Sequence, residues 1–275
     1  MADLSIKSKA TLNNGVQIPL LGLGVWQIPG FKATQAVKSA LEHGYRLIDT
    51  ASIYGNEAQV GEAIRGSGIP REEICVVTKL WNGDHDVDKV FKAFEASYNK
   101  LQCGPIDLYL SHFPIAGHRN DVMKKIAEIQ KAGYCKTIGV SNYTVRHLKE
   151  LMDKTGIVPA INQVELHPWL DQTELLSFCK QNKILVQAYS PLAHGKKNAD
   201  PVVQEIATAH SKTPTQVLIR YGLELGVATI PKSANPDHIF ENSLIFDFKL
   251  SSKDIASLKA LNCGLRTCWD PTEEP

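Results

Sequence analysis

The sequence has no uninterrupted apolar run long enough to cross a bilayer. Its first residues, Met-Ala-Asp-Leu-Ser-Ile-Lys, hold no apolar stretch of signal-peptide length. A soluble, cytoplasmic protein with no membrane partner is expected. Charge of one sign is also missing: 30 Lys and Arg stand against 29 Asp and Glu, for a formal net charge of +1. With no run of like charges either, nucleic acid and anionic lipid are poor main partners. The six cysteines, Cys75, Cys103, Cys135, Cys179, Cys263 and Cys268, contain no Cys-x-x-Cys pair. Neither a zinc site nor a redox motif is indicated, and reduced thiols are expected. No set of His, Asp and Glu has metal-ligand spacing, so no catalytic metal is expected, and no Walker-type Gly-Lys-Ser/Thr occurs. Asn142-Tyr143-Thr144 matches a glycosylation sequon, but without a secretory signal the match carries little.

A linker rich in Pro, Gly or Ser is absent as well, and composition does not shift along the chain, so residues 1–275 read as one domain. A hydrophobic content of 43% supports a substantial core. Lys9 to Leu20 reads as a β-hairpin turning at Asn14-Gly15 and covering one end of the domain. From Leu21 strands and helices alternate. The strands are Leu21 to Trp26, Tyr45 to Thr50, Ile74 to Leu80, Ile106 to Phe113, Thr137 to Asn142, Ala160 to Leu166, Ile184 to Ser190 and Val227 to Lys232. Helical periodicity covers Thr34 to Glu42, Ala58 to Ile64, Val87 to Leu101, Asp121 to Lys131, Val145 to Lys154, Glu174 to Asn182, Val202 to His210 and Pro214 to Leu225. A short helix is expected near Asp237 to Asn242 and another over Asp254 to Leu261, before an irregular end with Arg266 and Trp269. Continuous apolar strands such as that around Val76-Val77 imply burial on both faces. Eight such units in this length predict an α/β fold, a (β/α)8 TIM barrel with an N-terminal hairpin and a short C-terminal tail. An open doubly wound sheet gives a similar alternation.

In a parallel barrel all strand C-termini face one way, so residues at those ends converge. Asp49, Tyr54, Lys79 and His112 fall there. Taken singly each has a plainer reading: a helix cap, a packed aromatic, a surface lysine, a core histidine. Together they suit protonation of a carbonyl oxygen. A lysine ammonium at ~4 Å contributes roughly 4 kcal/mol at an effective dielectric near 20, which would bring a tyrosine pKa down from about 10. Asp49 would keep Lys79 charged and aimed, tempering that effect, and His112 would donate to the same oxygen or relay a proton.

These residues resemble the aldo-keto reductases, in particular members of the 2,5-diketo-gluconate reductase and prostaglandin F synthase type. The resemblance covers nearly the whole chain. It rests on Gly-Leu-Gly-Val-Trp at Gly22 to Trp26, Gly-Tyr-Arg-Leu-Ile-Asp-Thr-Ala at Gly44 to Ala51 and Tyr-Gly-Asn-Glu at Tyr54 to Glu57. Thr-Lys-Leu-Trp at Thr78 to Trp81 and Asp-Leu-Tyr-Leu-Ser-His at Asp107 to His112 follow. Then come Ile-Gly-Val-Ser-Asn at Ile138 to Asn142, Asn-Gln-Val-Glu-Leu-His-Pro at Asn162 to Pro168, Tyr-Ser-Pro-Leu at Tyr189 to Leu192 and Ile-Pro-Lys-Ser at Ile230 to Ser233. The resemblance implies NADPH-dependent reduction of aldehydes and ketones by a monomer, with Asp49, Tyr54, Lys79 and His112 as catalytic tetrad and Tyr54 as proton donor. It also implies that Ser141, Asn142 and Gln163 hold the nicotinamide carboxamide and that Tyr189 stacks on the ring. Gly24, Val25, Trp26 and Ile230 would line the cofactor, Ser190 and Leu192 the pyrophosphate, Lys232, Ser233, Asn235 and His238 the 2′-phosphate, and Glu241 and Asn242 the adenine. Trp26, Trp81, Phe113 and Trp269 would enclose an apolar aldehyde or ketone.

Lys232 and Ser233 before a short helix also suit an anion on the residues' own chemistry, whereas Gln27 stands where a Rossmann fingerprint needs its third glycine. His238 replaces the arginine that many members present to the 2′-phosphate, which leaves NADH as an alternative cofactor. Ser111-His112-Phe113-Pro114 departs from the usual Leu-His-Trp-Pro and keeps the histidine. The short connection from Ile115 to Arg119 and the brief tail predict an open pocket. Two other classes remain at this stage: a cofactor-binding barrel without catalysis, and a phosphate-handling isomerase or metal-dependent hydrolase.

Overall fold

Eight parallel strands pair in chain order: β3 (Leu23–Gly24), β4 (Leu47–Asp49), β5 (Cys75–Leu80), β6 (Ile106–Ser111), β7 (Cys135–Ser141), β8 (Ile161–Glu165), β9 (Leu185–Tyr189) and β10 (Ala228–Thr229). This computed structural model describes residues 4–170 and 172–275; the leader reading of Met1 to Asp3 lies outside them. The sheet curls until its edges meet. Gly22 N donates to Thr229 O at 3.0 Å, Thr229 N to Leu20 O at 2.8 Å and Gly24 N to Pro231 O at 3.0 Å. Parallel bridges Leu21 to Thr229 and Gly24 to Lys232 join the first strand to the last. The doubly wound alternative is thereby overturned, because an open sheet leaves its outer strands unpaired. The regular part of β10 is shorter than Val227 to Lys232 because Pro231 has no N–H to continue the ladder.

Helices α1 (Gly30–Glu42), α2 (Glu57–Arg65), α3 (Val90–Leu101), α4 (Arg119–Lys131), α5 (Val145–Thr155), α6 (Thr173–Gln181), α7 (Pro201–Ala209), α8 (Pro214–Glu224) and α9 (Pro236–Ser243) follow the strands, and α10 (Ser252–Lys259) ends the order. Their starts are chemically marked. Thr144, Thr213 and Ser251 each accept from the backbone three residues on, in capping boxes with His147, Gln216 and Asp254. The Ser251 box explains why α10 begins before Asp254, where the periodicity placed it.

Alternation along each strand divides the core. Val76, Tyr109, Val140 and Val164 point outward to the helices, while Leu47, Val77, Leu108, Leu110 and Ile161 fill the barrel. The hairpin β1 (Lys9–Thr11) and β2 (Gln17–Pro19) closes the bottom. Its Leu12 and Ile18 belong to the interior cluster, and Asn14 Nδ2 bonds Thr137 Oγ1 at 3.0 Å.

One close approach sets how the helix ring packs. A Cβ on Gly61 in α2 would lie 1.9 Å from the Leu101 carbonyl oxygen at the end of α3. Gly61→Ala is therefore expected to destabilise the fold by about 1–3 kcal/mol, seen as a lower denaturant midpoint with unchanged slope. An unchanged midpoint would mean that α2 backs away freely.

Candidate functional site

The alternation that sends Leu47, Val77, Leu108 and Ile161 into the barrel continues upward and sends Asp49, Lys79, His112 and Gln163 the same way. Ser141, Glu165, Gln187 and Tyr189 follow the same parity on their strands. Apolar below and polar above, the interior changes character toward the C-terminal face, where active sites of such barrels lie.

At that face Lys79 Nζ contacts Asp49 Oδ1 at 2.6 Å, Thr50 O at 2.9 Å and the Tyr54 hydroxyl at 3.5 Å. Asp49 Oδ2 accepts from Gln163 Nε2 at 2.7 Å, and the same nitrogen donates to Gln187 Oε1 at 2.7 Å. Tyr54 rides on a turn after β4 that two other residues fix. Asn56, fully buried, accepts from Thr50 Oγ1 and donates to Val25 O and Ile28 O, and Ser52 Oγ bonds Lys79 O. The His112 ring meets Tyr54 edge-on at 5.8 Å and Trp81 at 5.3 Å.

Burial pushes the Asp49 carboxyl up and the Lys79 ammonium down, and each is offset by the other. Burial also holds His112 well below the usual imidazole range, with Lys79 adding to it, so the ring is neutral near pH 7. Tyr54 corrects the sequence-based expectation. Its phenol is raised well above 10, by burial first and by the Asp49 charge next. The lysine does not lower it because the carboxylate at 2.6 Å takes up its field.

These groups floor a cleft of about 570 Å³. Gly24, Trp26, Asp49, Tyr54, Trp81, His112, Phe113, Ser141, Asn142, Gln163, Tyr189, Ser190, Leu192, Ile230, Lys232 and Trp269 all line it. Lys79 lies just beneath. Val25, Ser233, Asn235, His238, Glu241 and Asn242 are not brought to its walls: Val25 is core, and the others sit at β10's exit and on α9. Ser233 Oγ is engaged with the Asn235 backbone, and Asn235 caps α9 through Asp237 N at 2.9 Å. The wall also holds Gln27, Ile53, Pro191, His194, Gly195 and Cys268, which sequence reasoning did not assign to the site. His194 reaches Ser190 Oγ at 3.1 Å from a turn in which Ser190, Ala193, His194 and Gly195 all have positive φ. Pro191 and Gly195, directly after a predicted strand end, were the only signal for that turn.

The tail reaches the cleft where Trp269 was expected. Trp269 stacks on Phe113 with ring centroids 3.9 Å apart and planes at 11°.

The polar wall fits a dinucleotide. Tyr189 donates to Asn142 Oδ1 at 2.7 Å, and Asn142 Nδ2 binds His112 O and Ser141 Oγ, giving a rigid amide and hydroxyl patch. At the rim Lys232 is exposed, and beyond it Asn242 Oδ1 is buried with no hydrogen-bond partner among the described residues.

Residues 20–263 match the sequence profile described as "Aldo/keto reductase family". An aldo-keto reductase of Mycolicibacterium smegmatis is 48% identical over 265 residues, 96% of each chain. A protein named glyoxal reductase from Bacillus subtilis is 43% identical over 270 residues, 98% of each chain. Among solved structures, an aldo/keto reductase from Brucella melitensis superposes with a TM-score of 0.90 at 43% identity, covering 93% of this chain and 99% of that one.

His85, on the loop between β5 and α3, makes the site's surroundings acid-sensitive. Burial brings it down to about 4, with nearby His118 contributing. The unfolded chain takes up this proton near an ordinary pKa of about 6.5, so stability from His85 is complete above that pH and lost as pH falls toward 4. Urea unfolding between pH 8 and 4.5 is expected to show a loss of up to about 3 kcal/mol from this residue. His85→Asn should flatten that part of the curve, and an equal slope in the variant would remove His85 as its source.

Proposed function

The chain belongs to the aldo/keto reductase family, whose members use nicotinamide cofactors, and we propose that it reduces small aldehydes and ketones to alcohols with NADPH, Tyr54 supplying the proton. The supporting observation is the meeting of Asp49, Tyr54, Lys79 and His112 on the floor of one cleft whose opposite wall carries Ser141, Asn142, Gln163 and Tyr189. Family membership sets aside the isomerase and hydrolase alternatives.

When bound, the cofactor supplies a hydride to the carbonyl carbon. The chain's own groups handle the oxygen. Tyr54, with its pKa raised, is fully protonated near pH 7 and donates as negative charge develops on the oxygen, because an alkoxide is more basic than a phenolate. Lys79 Nζ donates to the Tyr54 oxygen at 3.5 Å, which leaves the phenolic O–H free for the substrate, and Asp49 holds the ammonium in place. Neutral His112 offers an N–H to the same oxygen. Trp26, Trp81 and the Phe113–Trp269 stack give the cleft apolar walls.

For the cofactor, Gln163 spends its amide nitrogen on Asp49 and Gln187, so its oxygen is left to accept from a carboxamide. Lys232, with Ser233, Asn235 and the start of α9, suits a 2′-phosphate, and the free oxygen of Asn242 suits the adenine amino group. Asp237 in the first turn and His238 in place of arginine moderate the preference for NADPH over NADH. The glyoxal reductase similarity and the 570 Å³ cleft favour a small carbonyl substrate such as an oxoaldehyde. Six free cysteines, four of them buried, suit the reducing cytoplasm. A monomer is proposed as the working form.

Tyr54→Phe is expected to lower kcat for NADPH-dependent glyoxal reduction by roughly 10²-fold or more while cofactor affinity stays within about twofold. Initial rates and a fluorescence titration check this, and near-normal turnover would end the assignment. His238→Arg should tighten NADPH more than NADH; equal changes in both dissociation constants would place His238 away from the 2′-phosphate.

A further inference from the structure

Glu165 is the last residue of β8, points into the barrel mouth and is 1% exposed. The mechanism above does not use it. Its carboxylate has four donors among the described residues: Oε1 accepts from Thr267 N at 2.8 Å, Thr267 Oγ1 at 2.5 Å and His167 Nε2 at 3.0 Å, and Oε2 accepts from Cys268 N at 3.2 Å. Although burial works against the charge, these bonds hold the carboxyl down at about 2. It is therefore an anion occupied by donors, not a spare base.

Three of those four donors belong to consecutive residues of the irregular tail. The next residue along is Trp269, whose Cα lies about 3.8 Å from that of Cys268 across one trans peptide. Upstream, Cys263 N and Leu265 N both bond Trp169 O, and Arg266 pairs with Asp270 at 2.9 Å around the anchored segment. Cys268 and Trp269 are the tail's contributions to the cleft, whereas Trp81 comes from the loop after β5 and Trp26 from the loop after β3, which meets the tail through His194.

We propose that Glu165 is a positioning residue for substrate selection: its buried carboxylate fixes the tail so that Trp269 stays stacked on Phe113 as one wall of the reduction site. The substrate half of this rests on reading the cleft as a carbonyl-reduction site; the anchoring half does not. A planar aromatic aldehyde uses that wall. A two-carbon dicarbonyl held at Tyr54 and His112 does not extend to it.

Glu165→Gln keeps the volume but turns one acceptor oxygen into a donor, which must face an N–H of Thr267 or Cys268. Hydrogen exchange at those two amides is then expected to rise roughly tenfold or more, since each loses a charge-assisted bond. With NADPH saturating, kcat/KM for 2-naphthaldehyde should fall roughly tenfold through KM, the scale of one aromatic stacking contact, while that for glyoxal changes less than about threefold. Trp269→Ala should reproduce the loss with naphthaldehyde, and the double variant should add little to it. Thr267→Val, which removes a bond from the tail side in a half-buried position, should move selectivity the same way to a smaller degree, and serves if Glu165→Gln folds poorly.

Unchanged exchange at Thr267 and Cys268 would overturn the anchor. Equal losses for both substrates, a loss confined to kcat, or additive effects of Glu165→Gln and Trp269→Ala would overturn its role in selection. Wild-type protein that reduces neither substrate would instead defeat the reductase reading, and with it the substrate half.

Discussion

The Lys79–Asp49 ion pair governs the site. Both groups are buried, and taking such charges out of water costs several kcal/mol per ion, which only good geometry offsets. Here the geometry is complete: a 2.6 Å contact, a second bond from the ammonium to Thr50 O, and a second bond to the carboxylate from Gln163. Replacing such a pair with apolar residues often leaves stability unharmed, so the pair is better understood by what it orients. It points a buried ammonium at Tyr54, and it cancels most of that ammonium's effect on the resting phenol. The resting phenol therefore stays protonated near pH 7.

The same carboxylate orders the layer above it. Because Asp49 only accepts, Gln163 must turn its NH₂ toward it, and Gln187 must then present its oxygen to that nitrogen. One charge thus decides two amide orientations. Higher still, Glu165 plays the corresponding part for the tail. The barrel interior runs from the hairpin-covered apolar cluster, through an ion pair and an amide pair, to a carboxylate that binds the chain's irregular end. Chemistry is confined to the upper end because the lower end is filled with aliphatic side chains.

Much of this was legible in the sequence. Eight apolar strand signals separated by amphipathic helices specified an alternating α/β fold, and strand parity from Leu47 to Asp49 and from Val77 to Lys79 sent the two charged residues inward. Other features were not legible. Tyr54's pKa depends on how completely its surroundings exclude water, which no local pattern encodes. Asn56 stood out only as part of Tyr-Gly-Asn-Glu, yet its amide ties the backbone of the Val25 to Ile28 loop to the Thr50 hydroxyl. The left-handed run at Ser190 to Gly195, which brings His194 to the cleft, has only Pro191 and Gly195 to signal it.

By itself the sequence determined the order of strands and helices, the inward parity of each strand and the chemical types present at the strand ends, because these follow from periodicity over a few neighbouring residues. Only the tertiary structure decided that the sheet closes through Gly22, Gly24 and Thr229 and that Asp49 meets Gln163 across 114 positions. It alone decided that the tail docks on Glu165 to set Trp269 against Phe113. These are bonds between groups far apart in the chain, and their partners are selected by packing and burial in three dimensions.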